Sequence, residues 1–206
     1  MLPEMNDKDA DIGAVADKVR GDAGLLAETL DGLTSKNETY RYNCYKVLID
    51  IAGTDPAVLY PHWDYFAGHL TSPNSYHKMS TAHLLAGLAA VDTGNRFEAI
   101  FDRFYDLLDD RSMVVAYYVA QVSAKIALGK PHLENRILEK LLAIDGTHHA
   151  PGRKELIKAG ILEAFDELCE ATGNRPELLD FVRQQVSSES RKTAKLAKAY
   201  LEKWGG

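Results

Sequence analysis

The chain has 206 residues, of which 46% are hydrophobic and 26% are charged, and its formal net charge is −6 at pH 7. This composition can bury a continuous core, and no apolar run approaches the roughly 20 residues that a membrane span needs. The negative charge lies in residues 1–105, which hold 9 Lys and Arg against 15 Asp and Glu, whereas residues 106–206 hold 15 of each. Such a surface would repel duplex DNA, so nucleic acid is not expected as a partner.

The N-terminal segment, residues 1–21, is acidic at its start and has no continuous apolar stretch, so we do not expect a signal peptide. It predicts a polar helix near residues 9–19. The apolar positions of this helix would cover the end of the structure that follows, and they are Ile12, Val15, Ala16 and Val19.

From residue 22 onward, a leucine-rich segment is followed by a second segment with apolar residues at i, i+3, i+4 and i+7, which is a helical spacing. The first segments end on Leu33, Leu70, Leu108, Leu142 and Val186, and the apolar stripes of the second segments begin at Cys44, Thr81, Val119, Ile161 and Ala194. In the first three units, 18 residues separate each anchor from the last stripe residue. Such self-similarity is typical of repeat architectures.

The connections between these segments support the same phasing. Within units they are rich in Ser, Asn and Asp, which cap helix N-termini. Between units they contain Gly and Pro, which end one helix and begin the next. Because the connections are short, consecutive helices should lie antiparallel. No segment alternates apolar and polar residues as a strand would, so we predict no strands.

Four second helices carry a basic residue three positions before the stripe, namely Arg41, Lys78, Lys158 and Arg191, whereas the third unit has Ala116 there. In this they resemble HEAT-type repeats of the armadillo-like α-solenoid superfamily, over roughly residues 22–204. The resemblance implies an all-α, right-handed solenoid of about five antiparallel helix pairs plus an N-terminal capping helix. It also implies a structural role for Arg41 and Lys78, which in HEAT families tie neighbouring repeats together.

The expected organisation is a single HEAT-like domain over residues 1–206. Its capping segment would be 1–21, and its units would cover approximately 22–53, 54–92, 93–129, 130–173 and 174–206. Cys44 and Cys169 lie on second helices three units apart, too far to form a disulfide bond. Two unpaired core thiols indicate a reducing compartment, and we expect a cytoplasmic protein.

The sequence carries none of the motifs that mark nucleophilic, zinc-protease, phosphate-binding or CxxC sites, so no catalytic residue and no cofactor is predicted. The fourth unit is longer, with 26 residues instead of 18 between anchor and stripe end, and contains DGTHHAPGRKE. Asp145, His148 and His149 could ligate a metal, but adjacent histidines on a loop rarely form a closed site alone. We therefore predict an exposed turn without metal, and leave open whether the loop binds a partner.

A candidate binding face lies on the second helices, opposite their apolar stripes. Tyrosine, methionine and histidine are enriched in protein interfaces, and they are frequent at these positions. The predicted partner-binding residues are Tyr42, Lys46, Tyr76, Met79, His83, Tyr117, Gln121 and Lys125. In HEAT-like arrays the second helices line the concave side, so these residues would form one contiguous patch. The alternative is that Tyr42 and Tyr76 bridge neighbouring repeats.

Three functions remain open. The sequence favours a non-catalytic scaffold or adaptor that binds a protein or peptide on the concave face. The first alternative, by fold analogy alone, is an enzyme or accessory lyase such as the HEAT-like chromophore lyases of phycobiliproteins or the HEAT-like DNA glycosylases, the latter disfavoured by charge. The second is a structural subunit of a larger assembly. The oligomeric state is not determined.

Overall fold

The structure, a computed structural model, describes residues 2–173 and 175–205. Within these residues it contains eleven α-helices and no β-strand, which confirms the all-α prediction. Met1, Asn174 and Gly206, which belong to the predicted capping segment and to the two ends of the predicted fifth unit, lie outside the described residues. The chain divides into two compact units, Met1–Asp92 and Thr93–Gly206.

The first unit contains the capping helix and two helix pairs. Its helices are α1 (Ile12–Arg20), α2 (Ala23–Gly32), α3 (Glu38–Thr54), α4 (Trp63–His69) and α5 (Ser75–Leu88). Short 3-10 turns cover Pro3–Asn6, Pro56–Val58, Tyr60–His62 and Ala89–Val91. Helix α2 packs against α3 and α4 packs against α5, while the second helices α3 and α5 also contact each other.

The second unit contains three helix pairs. Its helices are α6 (Arg96–Tyr105), α7 (Met113–Gly129), α8 (Glu134–Leu142), α9 (Pro151–Thr172), α10 (Leu179–Gln185) and α11 (Arg191–Trp204). The 3-10 turns are Asp106–Asp109, Pro131–Leu133, Ala143–Gly146 and Pro176–Leu178. As in the first unit, the second helices form a continuous layer, because α9 packs against both α7 and α11.

Side-chain caps begin three of the five second helices, α3, α5 and α11, whereas α7 and α9 have no such cap. The Asn37 side chain accepts a hydrogen bond from the Tyr40 amide at 3.1 Å, and Asn74 and Ser190 cap α5 and α11 in the same way. Each cap satisfies a backbone N–H that has no partner inside the helix. Pro56, Pro131 and Pro176 do begin the next repeats, but each opens a 3-10 turn that leads into the α-helix.

The predicted apolar stripes of the first four units form the core, whereas in the fifth only Ala197 of the predicted stripe is buried, and Thr193 and Tyr200 supply the other buried positions of α11. Cys44, Leu85, Val122 and Phe165 are all at most 2% exposed, and Cys44 and Cys169 are free thiols as predicted. The capping helix α1 packs on α2 and α3 through Val15, Ala16 and Val19, which are buried. The buried Asn43 side chain donates to the carbonyls of Met5 and Asp7, and so ties the N-terminal segment to α3.

The predicted anchor of the fourth unit was wrong. Leu142 is 40% exposed, whereas Ile144, in the following 3-10 turn, is fully buried. The eight additional residues of this unit are divided equally between the loop and the second helix. Helix α9 begins nine residues after the predicted anchor, against five in the first three units, and ten residues before its apolar stripe, against six in those units. Helix α9 is therefore one turn longer at its start than its counterparts.

Candidate functional site

In the first unit, four aromatic side chains of α3 and α5 form a group that we call the tyrosine–histidine cluster: Tyr42, Tyr45, Tyr76 and His83. The Tyr45 ring lies at its centre, with its centroid 6.2 Å from that of Tyr42, 6.2 Å from that of Tyr76 and 6.0 Å from that of the stacked His83 ring. The Tyr45 hydroxyl also forms a short hydrogen bond with Nδ1 of His83. These contacts fix the rings of two neighbouring repeats against each other.

Two cations lie over the outer rings of this cluster. Lys46 Nζ is 4.9 Å from the centroid of Tyr42, and the Arg41 guanidinium is 4.8 Å from that of Tyr76. The Tyr76 hydroxyl donates to the backbone carbonyl of Arg41 at 3.3 Å, and burial raises the pKa of Tyr76 to about 12. Tyr42 is different, since 53% of its surface is exposed. The cluster therefore presents one open ring, held beside a positive charge, on a packed base.

The other predicted residue of this unit, Met79, is half-buried on α5. Tyr76 bridges α3 and α5, which is the role that the structural alternative assigned to it, whereas Tyr42 contacts Tyr45 and Lys46 of its own helix. Tyr45 was missed by the sequence analysis. Its position three residues after Tyr42 was the available signal, because residues at i and i+3 lie on neighbouring parts of a helix surface.

In the second unit, Tyr117 and Gln121 of α7 belong to a polar network. The Tyr117 hydroxyl donates to Glu163 at 2.6 Å, Gln121 donates to the same carboxylate at 2.8 Å, and Lys192 of α11 lies 2.8 Å from it. Burial, together with Glu163, raises the pKa of Tyr117. Three successive second helices are thus connected through one carboxylate, and Tyr117 is half-buried rather than freely exposed.

Glu163 belongs to an acidic stripe on α9 that the sequence analysis also missed. The stripe consists of Glu163, Asp166, Glu167 and Glu170, at the i, i+3, i+4 and i+7 spacing that places residues on one helix face. Lys203 of α11 pairs with Asp166 and Glu170. Burial raises the pKa of Glu167, and the nearby exposed Lys125 opposes that rise. Lysines therefore neutralise much of the stripe.

Six of the eight predicted residues thus fall into two groups, whereas Met79 and Lys125 belong to neither. Tyr42, Lys46, Tyr76 and His83 come together in the first unit, and Tyr117 and Gln121 come together in the second. That all eight form one contiguous concave patch stays a prediction.

The histidine loop of the fourth repeat differs from the predicted exposed turn. His149 is only 3% exposed, and its Nε2 lies 3.2 Å from the carbonyl oxygen of Leu108. His148 Nδ1 is 2.5 Å from Oδ1 of Asp109, which also accepts the His148 backbone N–H at 2.7 Å. The pKa of His149 is lowered by burial, and that of Asp109 is lowered by the His148 amide. Asp145, the acidic residue considered from sequence, pairs instead with Lys158 at 3.0 Å.

The described part of the chain contains no helix that is both long enough and apolar enough to cross a membrane. Two of the four basic residues that carried the HEAT resemblance, Arg41 and Lys158, bond to groups of their own repeats, whereas Arg191 is exposed. Arg41 donates to the Ser35 carbonyl at 2.7 Å, and the buried Lys158 pairs with Glu155 as well as Asp145. Lys78 is buried, in agreement with the structural role expected for it.

No protein-family model matches the chain, and no curated protein matches it in sequence. Solved structures do resemble it. An engineered protein of the Northeast Structural Genomics Consortium has a TM-score of 0.50 and 16% identity, with 95% of this chain and 90% of that chain covered. A second engineered protein from the same consortium has a TM-score of 0.47 and 18% identity over 97% and 92% of the two chains. A designed armadillo repeat protein has a TM-score of 0.49 and 17% identity over 98% and 99%.

At 16% identity, the first of these likenesses concerns the fold alone. It agrees with the helix pairs and layered second helices described above, and the fold is an all-α helical repeat. Such repeats are a scaffold on which binding surfaces are built, and the fold by itself does not specify an activity.

Proposed function

We propose that this protein is a non-catalytic scaffold that binds a protein or peptide segment along its second helices. The anchor of this surface is the tyrosine–histidine cluster. The observation that carries the proposal is the Tyr42 ring, which is 53% exposed and lies beside the ammonium of Lys46. A tyrosine supplies a large, rigid contact area with a polar end, and such residues are enriched where proteins bind one another.

The packed base of the cluster supports this role. Tyr45 and His83 are stacked and hydrogen-bonded, so the ring of Tyr42 rests against a fixed surface. A side chain that is already ordered loses little conformational entropy when a partner binds. Tyr76 and Met79 extend the surface along α5, and Lys46 gives it a positive edge that would orient an acidic group of the partner.

In the second unit, Tyr117 and Gln121 already donate to Glu163, so a partner would have to compete with that network. Lys125 is exposed and lies beside the acidic stripe of α9. We therefore assign Tyr117, Gln121 and Lys125 a secondary, orienting contribution within the proposed face. Tyr42 should supply the larger share of the binding energy, because a few central aromatic residues dominate most interfaces.

Selection from a random peptide library displayed on phage tests the proposal. The untagged protein is immobilised, an enriched peptide is synthesised, and its affinity is measured for wild type and Tyr42→Ala. We expect the substitution to weaken binding about tenfold or more, as for an interface anchor. The melting temperature should stay nearly constant, because exposed substitutions usually change stability by less than about 0.5 kcal/mol.

Leu142→Ala is the matched control, since Leu142 is an exposed apolar residue that lies on a first helix. It should leave the affinity for the peptide unchanged. Equal affinities of wild type and Tyr42→Ala, or peptide enrichment no greater than on a blank surface, would contradict the proposal.

A further inference from the structure

Asp109, His148 and His149 of the second unit form a compact group of metal-ligating side chains. One ligand atom from each of them lies within 4.8 Å of the other two. Asp109 ends the 3-10 turn that follows α6, whereas the two histidines precede α9, so 39 residues separate the carboxylate from His148. We propose that this group is a binding site for a divalent ion of the Zn²⁺ class, which would join the third and fourth repeats.

The buried His149 ring is the observation that points to a ligand. Its Nε2 lies 3.2 Å from the Leu108 carbonyl, which can only accept a hydrogen bond, so Nε2 carries the proton. In the neutral ring, Nδ1 then has a free lone pair. Among the described residues, this buried atom has no hydrogen-bond partner. Leaving a buried acceptor unsatisfied costs free energy, and a cation at Nδ1 would remove that cost.

This arrangement is also the one that metal-binding histidines generally show. A ligating histidine almost always donates its other ring N–H to a backbone carbonyl or a carboxylate, which fixes the tautomer and the ring orientation. The Leu108 carbonyl occupies that place for His149. The site would therefore use Nδ1 of His149 as its buried ligand and the carbonyl as its outer support.

The other two ligands face solvent. The side chains of Asp109 and His148 are each 53% exposed, so an ion can reach them without opening the core. Two imidazoles and one carboxylate are ligands that Zn²⁺ accepts, with a water in the fourth position of a tetrahedral site. The short contact between His148 Nδ1 and Asp109 would open as the ion takes the place of the proton between them. Either that proton leaves to solvent or the His148 ring changes tautomer, so that Nδ1 is free to bind the ion.

One neighbouring charge opposes the ion. Arg153 lies close enough to lower the pKa of His149, and it would repel a cation in the same way. The Asp109 carboxylate is the compensating negative charge. We therefore expect a site of moderate affinity that depends strongly on Asp109, and Asp109→Asn is its most direct test.

The experiment titrates ZnCl₂ into chelator-treated, untagged full-length protein by calorimetry, alongside a thermal melt. We expect about one ion per chain and a raised melting temperature, since an ion that binds the folded state stabilises it. Asp109→Asn and His148→Ala should each weaken binding by at least about tenfold, because even outer partners of a metal site contribute that much. Both residues are exposed, so both variants should fold.

Asp102→Asn and His132→Ala are matched controls, because they remove an exposed carboxylate and an exposed imidazole elsewhere in the same unit. They should bind Zn²⁺ like wild type. Nitrogen-15 spectra of the histidine side chains give an independent readout, in which Nδ1 of His149 shifts on Zn²⁺ addition while Nε2 keeps its proton.

Absence of both binding heat and a melting shift in wild type would overturn the inference. Zn²⁺ binding that is equal in wild type, Asp109→Asn and His148→Ala would overturn it too, as would a high-resolution crystal structure grown with Zn²⁺ that shows only water at Nδ1 of His149.

Discussion

We expect that Gly160 cannot be replaced, even by alanine, without a loss of stability. It lies in α9, where that helix packs on α7. A Cβ atom placed on Gly160 would lie 2.6 Å from the backbone oxygen of Tyr117 and 3.4 Å from the backbone nitrogen of Gln121. Ordinary carbon–oxygen contacts are no closer than about 3.3 Å. Gly160→Ala would therefore force the two helices apart, because a backbone atom cannot rotate away as a side chain can.

Two effects of opposite sign decide the magnitude. Alanine in place of glycine stabilises a helix interior by about 0.8–1 kcal/mol through backbone entropy. Overpacking a close contact costs about 1–3 kcal/mol, and a contact with rigid backbone belongs in the upper part of that range. The sum is a net loss of about 1–2 kcal/mol. For a chain of this length, that lowers the melting temperature by about 2–8 °C.

Urea unfolding and thermal melts measure this effect. Gly152→Ala is the control, because Gly152 lies in the same helix and a Cβ there would meet no atom within 4 Å. It should leave the stability unchanged or raise it by up to about 1 kcal/mol. If Gly160→Ala proves as stable as wild type, the α7–α9 contact does not depend on the missing side chain, and the reasoning is refuted.

Two further perturbations test the core and one titrating side chain. Leu85 is fully buried, whereas Leu201 is half-buried near the end of the last helix. Leu85→Ala should therefore lower the free energy of unfolding in urea by about 2–4 kcal/mol, and Leu201→Ala should lower it clearly less. Equal losses of unfolding free energy would contradict this expectation. Burial, with His69 and Arg41 nearby, lowers the pKa of His77 below its unfolded value of 6.5, so the unfolded state binds the proton more readily. The stability that the neutral His77 side chain provides is complete above about pH 6.5 and is lost as the pH falls through its folded pKa. Between about pH 7.5 and pH 5, wild type should therefore lose more unfolding free energy than His77→Gln. Parallel stability curves for the two proteins would refute the lowered pKa of His77.

Much of the fold was predictable because it follows from local rules. A 3.6-residue period places Val47, Leu48 and Ile51 on one face of a helix wherever that helix packs. Asn37 and Asn74 cap the helices that follow them through hydrogen bonds that span two or three residues. The repeat was visible for the same reason, since each unit contains the same local signals in the same order.

The candidate site was predicted in part. The presence of aromatic residues at Tyr42 and Tyr76 could be deduced from register, but their different exposure could not. Tyr76 turns toward α3 and bonds to Arg41, whereas Tyr42 stays open beside Lys46. This difference in exposure depends on the distance and angle between the two packed helices. The spacing of residues along either helix does not specify that distance or that angle.

By itself, the sequence determined the all-α class, the positions of the helix pairs, four of the five buried stripes and the unpaired cysteines, because each of these depends on residues within one or two helical turns. Only the tertiary structure decided that Tyr117 meets Glu163 across 46 residues, that Asp109 meets His148 across 39, and that Ile144 rather than Leu142 enters the core. Such pairings are set by how closely the helices pack and how their connections bend, as where Gly160 allows α9 to touch the backbone of α7. Helix separations and loop conformations depend on how the helices pack together, so they cannot be deduced from the periodicity of residues within one helix.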